Sequence, residues 1–156
     1  MSIEKQTVYA TAGMPVAAAY ANQVDYCHAN GAPITARIVA AVGGLLEQAD
    51  GNLFLQRIRD WPGNALGDAV PLRSAGGLHA LHLAGGEMEL ARIYRDEAAD
   101  DRRIVGEVIA RRQAELLPWL DGPPQTNEAG RSSGFIAALL WLAEQGLPPQ
   151  FACLEV

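Results

Sequence analysis

Apolar positions recur at helical spacing along most of the chain, and glycine and proline divide them into segments. After Met14-Pro15, the alanine-rich run Val16-Ala17-Ala18-Ala19-Tyr20-Ala21-Asn22-Gln23-Val24 predicts a first helix. It reaches Asn30-Gly31, where glycine suits the left-handed position just past a helix end. Pro33 fits the first turn of a second helix, because its missing N–H has no partner there in any case. Ile34, Ile38, Val42, Leu45 and Leu46 then form a helical stripe closed by Asp50-Gly51. Asn52 is a candidate cap for a third helix with Leu53, Phe54, Ile58 and Trp61 on one side, broken by Pro62-Gly63.

Between residues 62 and 75 the periodicity disappears into Pro, Gly, Asn and Asp. Leu78, Leu81 and His82 then suggest a short, buried apolar helix ended by Gly85-Gly86. Residues 87–97 predict a further helix, with Met88, Ala91 and either Tyr94 or Leu90 at helical spacing, and Glu87 and Glu89 near its positive end. Asp100 or Asp101 is suited to cap the next one. There Ile104, Val108, Ala110 or Arg111, and Leu116 oppose Arg102, Arg103, Glu107 and Arg112, as far as Trp119 to Gly122.

Pro123-Pro124 leads into a strongly apolar stretch at residues 128–145, containing Phe135, Ile136, Leu139, Leu140, Trp141 and Leu142. It is apolar on most sides, which predicts a central helix. Phe151-Ala152-Cys153-Leu154-Glu155-Val156 reads as a short buried strand. The fold class is therefore mainly α, a bundle of about six to seven helices with a single short C-terminal strand. A lone apolar strand leaves its ladder donors and acceptors unpaired, so it needs a sheet the preceding residues do not offer. The expected organisation is a helical domain over residues 1–149 and, at 150–156, the start of a truncated sheet domain.

With 156 residues, 49% of them hydrophobic, the chain is long enough for one domain with one core. A net charge of -6 supplies no Lys/Arg excess for counterion release, which excludes a general affinity for nucleic acid. Cys27 and Cys153 form no C-x-x-C pair, and Met1-Ser2-Ile3-Glu4-Lys5 carries no signal-peptide pattern, so a reduced, cytoplasmic setting is expected. The longest apolar-rich stretches, such as residues 135–143, reach about half of the roughly 20 residues that span a bilayer, and no membrane partner is expected.

The most distinctive polar run is Gln125-Thr126-Asn127-Glu128-Ala129-Gly130-Arg131-Ser132, several hydrogen-bonding side chains at a helix start with free N–H groups. It could hold a small polar or anionic ligand, but plain capping by Thr126 or Asn127 with a Glu128–Arg131 pair is the better reading. In Arg73-Ser74-Ala75-Gly76-Gly77-Leu78-His79-Ala80-Leu81-His82, two imidazoles three apart share a helix face, but no third metal ligand is signalled and His28 stands alone. No metal site follows. Gly76-Gly77 is read as permitting a turn and close helix packing, since no Lys-Ser/Thr follows it. Ser132-Ser133-Gly134 lacks a nucleophile elbow, and neither cysteine has a nucleophile signature, so no catalytic residue is assigned. Trp61, Trp119 and Trp141 lie in or beside apolar helical patterns and are read as core.

Three segments together, Pro71-Leu72-Arg73-Ser74-Ala75-Gly76-Gly77-Leu78-His79-Ala80-Leu81, Thr126-Asn127-Glu128-Ala129-Gly130-Arg131-Ser132 and Leu154-Glu155-Val156, resemble the uncharacterised bacterial family DUF2332. The resemblance covers the chain from about Met14 onward. It implies that the final strand opens a Rossmann-like domain similar to S-adenosylmethionine-dependent methyltransferases, followed by a glycine-rich turn. Glu155, at the strand end, would then lie near the cofactor of the complete domain. No cofactor is expected on residues 1–156 by themselves. The helical part would be the cap of a methyltransferase-like protein, with Arg73, His79, Gln125, Thr126, Asn127, Glu128 and Arg131 toward the substrate. Its partner would be the remainder of its own sheet domain. The alternative is a non-catalytic interaction module that covers a sheet or forms a homodimer.

Overall fold

A computed structural model describes residues 15–121, which hold seven α-helices and no strand among them. The helices are α1 (Val16–Ala29), α2 (Pro33–Leu45), α3 (Leu53–Arg59), α4 (Val70–Ala84), α5 (Met88–Tyr94), α6 (Asp101–Arg111) and α7 (Gln113–Asp121), with a single 3-10 turn, Leu46–Gln48, after α2. The mainly α class is thus observed. The helix expected over residues 128–145 and the strand at 151–156 lie outside the described residues.

Local chemistry places most of the ends. Gly31 (φ 72) and Gly51 (φ 83) take the left-handed conformation where the chain leaves α1 and the 3-10 turn. Pro33 opens α2. The Asn52 side chain accepts the Leu55 N–H at 2.9 Å, and Asp100 accepts that of Arg103 at 3.3 Å, so both expected caps are present.

The core forms around α2, which packs on α1, α4 and α6 and also meets α5. Ile34, Ile38, Val42, Leu45 and Leu46 are all buried, as their spacing predicts, and so are Ile104, Val105, Val108 and Ile109 of α6. At the crossing of α1 and α2, Gly43 lies so close to Tyr20 that a Cβ there would stand 3.1 Å from the tyrosine Cβ. The tyrosine hydroxyl then reaches Ser74 of α4 at 2.9 Å. Because Ser74 donates its own hydrogen to the Pro71 carbonyl at 2.8 Å, Tyr20 is the donor of that bond.

Several expectations need correction. The segment without periodicity ends at residue 69, not 75, because α4 already begins at Val70 and is buried all round over its first three turns, which erases any polar stripe. Gly76 and Gly77 therefore lie inside a helix and make no turn, while Gly77 packs closely against Leu116 and Trp119. Leu53 and Met88 face solvent at 52% and 83% exposure, and Leu55, Leu90 and Ile93 take the inward places. Ala110 and Arg111 are likewise exposed. Finally, the helix expected from residue 101 to about 120 is broken at Arg112 (φ -119), which lets α6 rest on α2 while α7 turns onto α4 and α3.

Candidate functional site

Among the described residues, Arg73 is a charged side chain buried as deeply as the apolar core. It sits in the first turns of α4, after a tight turn in which Asn64 Oδ1 accepts the Leu66 and Gly67 N–H groups, each at 3.1 Å. Ala69 enters the helix in the left-handed conformation (φ 57). This brings the Asp68 carbonyl to Arg73, whose Nε donates to it at 2.8 Å. The side chain is 1% exposed, and its Nη1 is buried with no hydrogen-bond acceptor. A buried cation normally has an ion-pair partner, since leaving it unpaired costs several kcal/mol, on the order of what breaking a buried pair costs.

The two carboxylates whose charges act on it are engaged elsewhere. Asp68 Oδ2 accepts from Trp61 Nε1 at 2.8 Å, and Asp121 Oδ1 accepts from Arg57 at 2.9 Å. Burial lowers the affinity of the guanidinium for its proton, and the charges of Asp68 and Asp121 oppose that from a distance. At ordinary pH Arg73 remains a cation.

His79 lies six residues further along α4, so a helix of 3.6 residues per turn sets it about 120° around the axis from Arg73. The structure does not bring these two candidates together. His79 belongs instead to a ring cluster with His82 and Tyr94. His82 stacks on Tyr94 with centroids 4.1 Å apart and planes 2° from parallel, while His79 tilts against Tyr94 at 5.2 Å and His82 at 6.2 Å. Burial first, and the neighbouring His82 second, lower the His79 pKa to about 4, so it is neutral at pH 7. Burial likewise pushes the Tyr94 hydroxyl above its ordinary range. Among the described residues, no three metal-ligating side chains converge on one centre.

Two further features have no local signal in the sequence. Glu87, 6% exposed, receives Arg111 at 2.9 Å and Arg112 at 2.6 Å, and so joins the start of α5 to the break between α6 and α7. A groove of about 750 Å³ runs between the start of α3 and α6, and one of about 300 Å³ between α1, α2 and the start of α6. Arg102 lines both and lies against Gly44, where a Cβ would stand 2.5 Å from its guanidinium. The groove walls carry Asp50, Asp100 and Glu107, so its charge is mixed. Pairs 24 or 25 residues apart leave no periodic trace, which is why sequence reasoning missed them.

Of the candidate residues, Arg73 and His79 are thus placed, whereas Gln125, Thr126, Asn127, Glu128, Arg131 and Glu155 lie outside the described residues. Trp61 and Trp119 pack on the core, as expected, and Trp141 lies outside. No helix of the described residues is long and apolar enough to cross a membrane.

Comparison with known proteins finds no curated protein and no solved structure that matches the chain. A family model described as an uncharacterised protein conserved in bacteria matches residues 17–156, and the chain therefore belongs to the DUF2332 family.

Proposed function

We propose that this helical domain is the substrate-side part of an S-adenosylmethionine-dependent methyltransferase-like protein, inactive by itself and working in the cytoplasm beside a cofactor-binding sheet. The observation that carries the reading is Arg73. A guanidinium kept out of water without a carboxylate partner is costly as architecture and useful as recognition. In this reading Asn127, Glu128 and Arg131 complete the substrate side, with Gln125 and Thr126, and Glu155 lies by the cofactor.

A second reading, a helical interaction or dimerisation module, is favoured by Leu83 and Met88, which stand 61% and 83% exposed on either side of Gly85-Gly86. Calorimetric titration of S-adenosylmethionine separates the two. The chain is titrated in parallel with a longer protein that carries the glycine loop and sheet. Binding to the longer protein alone is the expected result. No binding to either would remove the methyltransferase-like reading and leave the interaction module.

A further inference from the structure

We propose that Arg73 is the receptor for an oxyanion, a carboxylate or phosphate group carried by the substrate; the identity of that ligand as substrate rests on the function proposed above. One donor of the guanidinium is spent and one is left over. Nε is held by the Asp68 carbonyl at 2.8 Å, which fixes the plane of the group, while Nη1 faces no acceptor. Two acidic side chains are near enough to be felt but are directed elsewhere, Asp68 to Trp61 and Asp121 to Arg57. Ser74, the next residue, is occupied by Tyr20 and the Pro71 carbonyl and does not compete.

A planar cation oriented at Nε, with Nη1 lacking an acceptor and no carboxylate hydrogen-bonded to it, suits an oxygen of a carboxylate or phosphate. An apolar side chain of similar length would fill the same volume without the desolvation cost, so the cation is not explained by packing. Because Arg73 is 1% exposed, the oxyanion reaches it only when the surrounding side chains yield. Binding is therefore coupled to local opening, and it stabilises the folded domain by mass action.

The test is thermal unfolding of the chain in sodium phosphate and in sodium acetate, against sodium chloride at equal ionic strength. The variants are Arg73→Met, Arg73→Lys and, as a remote control, the exposed Arg59→Met. The wild type and the control are expected to gain a few degrees or more, roughly 4 °C at saturating anion, in at least one of the two salts. Arg73→Met should lose the gain while being at least as stable in chloride, and Arg73→Lys should retain part of it. A response to phosphate alone or acetate alone names the ligand chemistry. An equal response of Arg73→Met, or no response of the wild type beyond chloride, would overturn the proposal.

If Arg73→Met fails to fold, the Arg73 Nε–H resonance of the wild type gives the answer on its own. It should move on addition of inorganic phosphate or acetate but not of chloride, and its failure to move would sink the idea. Failure of the cofactor titration would leave these anion responses untouched, so the two readings fail separately.

Discussion

A methyl group at position 77 has almost no room. A Cβ on Gly77 would stand 3.0 Å from Leu116 Cδ2 and 3.1 Å from Trp119 Cγ, two side chains of α7, which packs on α4. Alanine would gain roughly 1 kcal/mol of helix propensity, but overpacking a tight contact costs about 1–3 kcal/mol, and the indole ring moves less readily than a leucine methyl. Gly77→Ala is therefore expected to lose about 1 kcal/mol net, read as a lower urea midpoint at unchanged slope. Caps and turns at this scale, such as Asn52, Asp100, Gly31 and Pro33, were legible in the sequence because each acts on backbone groups within a few residues of itself. Arg73 and Gly77 were legible as a motif but not as a helix. Their roles come from burial on every side, which removes the polar face by which a helix is recognised.

Among the elements, the least legible event is the break at Arg112. Arg112 and Gln113 both favour helix, and no glycine or proline marks the joint. What shapes it is Glu87, 25 residues earlier, whose carboxylate takes Arg111 and Arg112 together. Arg111 holds the Glu87 pKa below the ordinary carboxylate range, and Arg112 adds to it. With its folded pKa depressed, this carboxylate contributes stability that is fully present above the unfolded value of about 4.3 and is lost as pH falls through the folded pKa. Glu87→Gln should cost about 1–2 kcal/mol at pH 7, discounted because Arg111 is more than half exposed. In urea titrations at successively lower pH, the gap between variant and wild type should close below about pH 4. A gap that stays constant with pH would mean the pair does not hold the joint.

Across the whole molecule, the acid response has a second and separate part. His79 is neutral in the folded domain, with a pKa lowered from 6.5 to about 4, so the unfolded chain binds the extra proton between those values. Stability from this group is complete above pH 6.5 and falls steadily as the pH drops toward 4. His79→Leu should flatten the pH dependence of the urea midpoint in that window and leave intact the slope below it, to which the arginine-paired carboxylates, Glu87 among them, contribute. An unchanged slope between pH 4 and 6.5 would show that the ring is not held neutral.

Because α2 meets α1, α4, α5 and α6 at once, its backbone amides can reach solvent only when most of the molecule comes apart. Their deuterium uptake should then report the global free energy of unfolding. The seven-residue α5, closed by its contact with α6 and by the rings around Tyr94, should take up label earlier through local opening. The central helix thus sets the slowest clock in the protein, and a ligand that tightens the fold as a whole would be visible there first as a lengthened exchange time, even with no atom near it.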